Sequence, residues 1–121
     1  MRFIIISQDT EIFEAAKKGF HPSDRVDIYE NWVQALDESE GVDLIFVDIL
    51  STLIEAHKID GYEEFAHAKM QHPVADVIPL VLIGAGADYK LDFMVGWPNF
   101  LLGHFQRPID YRQLRRASTW V

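Results

Sequence analysis

Three ionisable side chains stand where apolar runs break off, and their types suit phosphoryl or metal chemistry. Asp48 follows the run from Leu44 to Val47; Asp9 comes after Ser7 and Gln8 at the end of Phe3 to Ile6; Arg107 precedes Pro108 beyond the run from Phe100 to Leu102. A carboxylate at such a place can receive a phosphoryl group, help hold a hard cation, or pair with an arginine. Other chemistry is poorly represented. His21, His57, His67, His72 and His104 include no i, i+4 pair and no HExxH arrangement, so they read as surface or helix-end residues and not as a metal set. Gly84-Ala85-Gly86-Ala87 is glycine-rich, but it follows a late apolar run and lacks both G-x-G-x-x-G and the Walker lysine; it reads as a turn. The chain contains no cysteine, which excludes thiol catalysis, thiolate metal sites and a disulfide framework.

These residues need a scaffold that gathers strand ends. The runs from Phe3 to Ile6, Leu44 to Val47, Ile78 to Ile83 and Phe100 to Leu102 are continuously apolar, as strands covered on both faces must be. Arg25 to Tyr29 alternates and reads as an edge strand. Helix-period stripes lie between them: Ile12, Phe13, Ala16 and Phe20 after a capping Asp9 or Thr10; Trp32, Val33 and Leu36 after Asn31; Tyr62, Phe65, Ala66, Lys69 and Met70 before His72-Pro73. A weaker helix is expected from about Asp88 to Val95, closed by Gly96 and Pro98, and a last one carries Tyr111, Leu114, Ser118 and Val121 behind Pro108 and Asp110. Repeated β-α alternation with right-handed crossovers predicts a doubly wound five-stranded parallel sheet, a single domain spanning 1–121. For strand order 2-1-3-4-5, ligands approach beyond the carboxyl ends of strands one and three. Ser7, Gln8, Asp9, Asp48, Gly84 and Arg107 all arrive there.

The chain resembles the response-regulator receiver (CheY-like) family along essentially its whole length. Asp43-Leu44-Ile45-Phe46-Val47-Asp48-Ile49 is similar to the family's phosphoacceptor strand, and Ile59-Asp60-Gly61-Tyr62 to the Met-Asp-Gly-Leu opening of the helix that follows. Pro79-Leu80-Val81-Leu82-Ile83 and Gln106-Arg107-Pro108-Ile109-Asp110 are similar to the fourth strand and the Ser-Lys-Pro-Phe element. The resemblance implies the flavodoxin-like receiver fold, with Asp48 as candidate phosphoacceptor, His104 at the position of the switching aromatic, and a role in two-component-type signal transduction.

Departures from the family pattern bear on what that pocket can do. The acidic pair that helps hold Mg²⁺ corresponds to Ser7 and Gln8, and a neutral amide carbonyl is a poor replacement for a carboxylate. Asp9, one position later, and Asp48 remain as weak Mg²⁺ ligands; no other cofactor is expected. Gly84 takes the place of the phosphoryl-binding Ser or Thr, and Arg107 that of the lysine, with a planar fork suited to holding Asp48 in a bidentate pair. Asp48 therefore has two readings, a working phosphoacceptor or a carboxylate satisfied by Arg107 and nearby amides. The segment from Ser51 to Ile59 is longer than the family usually has and reads helically, as a lid over the pocket mouth, a docking element, or an extension of the next helix.

Composition narrows the partners. Nineteen acids against eleven Lys and Arg give a net charge of −8, the wrong sign for nucleic acid or an anionic membrane. The apolar runs are far shorter than the ~20 residues of a bilayer span, and a cytoplasmic location is expected. Arg112, Arg115 and Arg116 cluster on the last helix, and Trp120 falls off its apolar stripe; together they make a candidate surface for a protein partner, a signalling kinase or effector, or for a homodimer through the last helices. The expectation is a stand-alone pseudo-receiver without an output domain, not an enzyme, acting by protein contact with phosphotransfer weakened or lost. A functional response regulator phosphorylated at Asp48 is the first alternative. A small-ligand-binding flavodoxin-like domain is the second, disfavoured for flavin because Ser7-Gln8-Asp9-Thr10 lacks glycine and carries an acid.

Overall fold

A computed structural model describes residues 1–86, 89 and 101–121. Five strands, β1 (Arg2–Ile6), β2 (Arg25–Tyr29), β3 (Leu44–Asp48), β4 (Leu80–Gly84) and β5 (Leu101–Gln106), form one parallel sheet in the order β2-β1-β3-β4-β5. Helices α1 (Thr10–Gly19), α2 (Trp32–Asp37), α3 (Ile49–Thr52), α4 (Asp60–Gln71) and α5 (Tyr111–Ser118) connect or follow them, and a short 3-10 turn, Ala75–Val77, leads into β4.

The continuous apolar runs are explained by the two faces they serve. Because side chains alternate along a strand, Phe3, Ile5, Leu44, Phe46, Val81 and Ile83 point to one core with Ile12, Ala16 and Leu114 of α1 and α5. Ile4, Ile6, Ile45, Val47, Leu80 and Leu82 point to the other, against Leu36, Tyr62 and Phe65 of α2 and α4. Burying both faces of β1, β3 and β4 fixes their register. Asp48, the last residue of β3, stands opposite Ile83 of β4, and Ile6, just ahead of Ser7, opposite Val47. The caps expected at Asp9, Asn31 and Asp110 are all made, each side chain accepting from a backbone N–H two residues on.

Several elements differ from the sequence expectation. β5 extends to Gln106, well past Leu102, because it is an edge strand whose residues alternate between half-buried and exposed, so its apolar run is no guide to its length. Ser51 to Ile59 is not a helix: α3 ends at Thr52, and the chain continues irregularly with His57 at φ 65° until α4 begins at Asp60. A residue in the left-handed region interrupts right-handed helix. Val33 and Met70, placed on apolar stripes, are exposed, whereas Lys69, placed on the same stripe as Met70, is wholly buried in agreement with that placement. The helix expected over Asp88 to Val95 falls outside the described residues.

Gly61 is required where it stands. A Cβ there would lie 2.1 Å from the Thr52 carbonyl oxygen and 2.9 Å from the Ile54 nitrogen, so only glycine lets α4 start against the end of α3.

Candidate functional site

The loop after β1, the end of β3, the end of β4 and the approach to α5 meet at the carboxyl end of the sheet, and they bring together Ser7, Asp9, Asp48, Gly84 and Arg107. Asp48 is 2% exposed. Its Oδ1 accepts from the Leu50 backbone N–H at 3.1 Å, capping α3, and its Oδ2 accepts from Ser7 Oγ at 2.8 Å and from Arg107 Nη2 at 2.5 Å. Both oxygens are therefore engaged by donors the fold supplies. Ser7 is itself held, its Oγ accepting from the Asp9 N–H at 3.0 Å.

Arg107 does not clamp Asp48 with two parallel bonds, as its fork allows. It spreads its nitrogens over three acceptors: Nη2 to Asp48, Nε to Asp9 Oδ2 at 3.1 Å, and Nη1 to the Gly84 carbonyl at 3.0 Å. Nη2 also lies 3.0 Å from the same Asp9 oxygen. Burial works against the guanidinium's charge, but the hydrogen bonds and negative charges of Asp48 and then Asp9 outweigh it, and its pKa is held above the ordinary arginine value. Asp9 serves twice, since its Oδ1 caps α1 by accepting from the Glu11 N–H at 2.9 Å. Next to this cluster is a cavity of about 190 Å³ lined by Gln8, Asp9, Asp48, Leu50, Ser51 and Arg107. Gln8 is exposed. Leu50 and Ser51 line the cavity, Ser51 being the first residue of the long connection; further along, His57 stacks on Tyr89, ring centroids 4.4 Å apart, with the His57 N–H donating to Tyr89 Oη at 2.9 Å.

The Mg²⁺ implied by the resemblance does not fit these side chains as they stand. A magnesium ion needs several oxygens close around it in near-octahedral array. Here the two carboxylates already share one guanidinium nitrogen, and Gly84 contributes its carbonyl to the same group.

His104 is exposed on β5. Arg112, Arg115 and Arg116 are exposed on α5, with Arg112 and Arg115 over the Tyr111 ring at 5.5 and 5.2 Å and Arg115 also donating to the Lys18 carbonyl. Trp120 is 38% exposed and stacks on Phe105, its ring seated over Gly103, where a Cβ would approach Cζ3 to 2.9 Å. Glycine at 103 thus makes the seat for the indole.

Sequence reasoning places Lys69 on an apolar stripe but does not assign its role. Its Nζ donates to the Ala75 and Ile78 carbonyls at 2.9 and 2.5 Å, pinning the turn before β4 to α4. Desolvation lowers its pKa to about 8 against an opposing pull from Asp76. A lysine inside the stripe of Tyr62 and Phe65 was the available signal.

Strand order, crossovers and a carboxylate at the end of β3 together define a receiver-type α/β fold. Among solved structures, the chain is similar to the crystal structure of a response regulator receiver domain protein (CheY-like) from Methanospirillum hungatei JF-1, with a TM-score of 0.72 and 17% identity over 98% of this chain and 91% of that one. The fold is accordingly the CheY-like receiver fold. No family model matches the chain, and no curated protein matches it.

Proposed function

We propose that this chain is an atypical receiver domain in two-component-type signalling, acting through contacts with protein partners, with phosphoryl transfer to Asp48 weakened or lost. The observation that carries this is the engagement of Asp48: Ser7, Arg107 and the Leu50 amide occupy its two oxygens. A phosphoacceptor carboxylate must present a free oxygen to the incoming phosphorus, with cationic groups left over to offset charge on the transferring group. Here Arg107 is already committed to three acceptors, and Gly84 offers no side-chain donor. The partner, a signalling kinase or effector, is met through the α5 surface, where Arg112 and Arg116 suit an acidic surface and Trp120 supplies apolar area; pairing of two copies through the same region is the homodimeric form of this proposal.

The phosphoacceptor alternative is favoured by one observation, the position of Asp48 beside a cavity that reaches its carboxylate. Small-ligand binding at the Asp48 pocket itself is disfavoured, since its cavity of about 190 Å³ falls short of the ~300 Å³ at which ligand pockets begin. Intact mass after incubation with acetyl phosphate and Mg²⁺, quenched quickly and with Asp48→Asn as control, tests the choice. The proposal expects no added phosphoryl group while a control receiver is modified. A single increment absent from the variant restores the response-regulator reading.

A further inference from the structure

The two edges of the sheet are not alike. β5 pairs with β4 across a shift in register after Leu80, whereas β2 runs beside β1 without irregularity, Arg25 to Tyr29 against Arg2 to Ile6. The Arg25 N–H donates to the Met1 carbonyl at 2.9 Å and the Tyr29 carbonyl accepts from the Ser7 N–H at 3.0 Å, so the odd-numbered residues of β2 bond inward. Ladder groups alternate in direction along a strand. The N–H and C=O groups of Val26 and Ile28 therefore point away from the sheet, and no described residue bonds to them. Their side chains lie on the α1 face, where a groove of about 550 Å³ separates them from Phe13 and Ala16. Ile28 is 39% exposed. A regular edge with unpaired ladder groups and apolar side chains is a template for another strand. On the opposite face stand Arg25 and Asp27, Nε to Oδ2 at 3.0 Å, the arginine side chain 68% exposed.

We propose that this edge pairs with β2 of a second copy of the chain, antiparallel about a two-fold axis, with Val26 opposite Val26. An isologous contact must bring the outward ladder groups of one strand to those of the other, which leaves three registers. Val26 opposite Ile28 sets Asp27 against Asp27, and like charges directly opposite are destabilising. Ile28 opposite Ile28 sets Asp27 against Tyr29 and Arg25 against Asn31, with no charge pair. Val26 opposite Val26 sets Arg25 against Asp27 twice, at positions that are not hydrogen-bonded to each other, where opposed Cα atoms come to about 4.5 Å and side chains are closest. Charge thus selects one register of the three. The two-fold axis runs through the sheet, so both α1 helices stay on one side of it, and the two grooves close on each other over Val26 and Ile28 of each copy. None of these residues belongs to α5, so the contact is separate from the partner surface proposed above.

Sedimentation equilibrium of the full chain, from about 1 μM to 1 mM, tests this at about 0.15 M salt, where repulsion between two chains of net charge −8 is screened beyond about 8 Å. The wild type should show a monomer–dimer equilibrium. Arg25→Asp and Asp27→Arg each set like charges opposite one another, and each should weaken the dimer about tenfold or more. An equimolar mixture of the two variants should form a heterodimer tighter than either variant alone, because each new charge then faces its opposite on the other chain. Asp27 also accepts from Arg2 at 3.2 Å, so a readout that needs no substitution accompanies these. In a mixture of labelled and unlabelled wild type, isotope-filtered NMR should show an Hα–Hα contact between Arg25 of one copy and Asp27 of the other, and exchange of the Val26 amide should slow as concentration rises. A monomer throughout the range, no gain on mixing the variants, or a dimer without the Arg25–Asp27 contact overturns the inference. A dimer indifferent to both charge reversals but lost in Trp120→Ala overturns it too, in favour of pairing through α5. Phosphorylation of Asp48 would overturn the proposed function and leave this inference standing.

Discussion

Replacing Asp48 with asparagine tests whether the pocket is held by attraction or by crowding. In the wild type, Oδ2 accepts from Ser7 and Arg107 while Oδ1 accepts from the Leu50 amide. A carboxamide has one accepting oxygen and one donating nitrogen. With its oxygen toward Arg107, its NH₂ faces the Leu50 N–H; with the amide flipped, its NH₂ faces Arg107. Either way one donor loses its acceptor and a charge-assisted bond is lost or weakened. Charge-assisted bonds contribute about 1.5–3 kcal/mol and an orphaned buried donor costs about 1–3 kcal/mol. Arg107 keeps Asp9 and the Gly84 carbonyl, which softens the loss. The expected destabilisation is about 2–4 kcal/mol, a fall in melting temperature of roughly 8–16 °C for a chain of this size. Arg107→Ala should cost more, about 3–5 kcal/mol, because it leaves Asp48 as an uncompensated buried charge. Urea unfolding of the three proteins reads both quantities. Where carboxylates crowd one another, removing one charge relieves repulsion and stabilises the fold. An Asp48→Asn variant as stable as the wild type, or more so, refutes the paired-carboxylate account.

Further predictions concern the frame around the site. Gly61→Ala, which on helix propensity should gain about 1 kcal/mol, should instead lose about 1–3 kcal/mol or more by chemical denaturation, because the added Cβ meets Thr52 and Ile54 backbone atoms that cannot move independently. Lys69 has its pKa lowered to about 8 by burial, so between about 8 and 10.5 the unfolded chain holds more protons than the folded one and stability should rise with pH. Tyr62, whose phenol burial pushes up to about 12, acts oppositely above pH 10, where the unfolded chain loses its proton first. Urea midpoints against pH should therefore climb through pH 8 to 10 and then turn over, with the climb flattened in Lys69→Met. Asp110→Ala removes a capping box on α5 and should cost about 1 kcal/mol, seen as a lower urea midpoint with unchanged slope.

The strand ends were legible because a parallel sheet buried on both faces writes itself as uninterrupted apolar runs, and Asp48 and Ser7 fall just where β3 and β1 stop. Caps at Asp9, Asn31 and Asp110 were legible for an equally local reason. β5 was cut short because its outer residues, Leu102, His104 and Gln106, alternate with half-buried ones, and a criterion made for buried strands fails at an edge. The segment after Asp48 misled because its apolar residues have helical spacing, while His57 there takes a left-handed backbone and meets Tyr89, a residue 32 positions away. The division of Arg107 between Asp9, Asp48 and Gly84 was beyond reach for the same reason: composition places an arginine at the pocket, but only tertiary geometry decides which of its nitrogens meets which oxygen.

The claim at the centre is that Asp48 is closed to phosphoryl chemistry by the protein's own side chains. Beryllofluoride with Mg²⁺ forms an acyl-phosphate mimic on an accessible carboxylate, and ¹⁹F NMR reads it directly. The account predicts only the signals of free beryllofluoride species with the wild-type protein, at concentrations where a control receiver is fully complexed. A bound fluoride resonance that disappears in Asp48→Asn would contradict it.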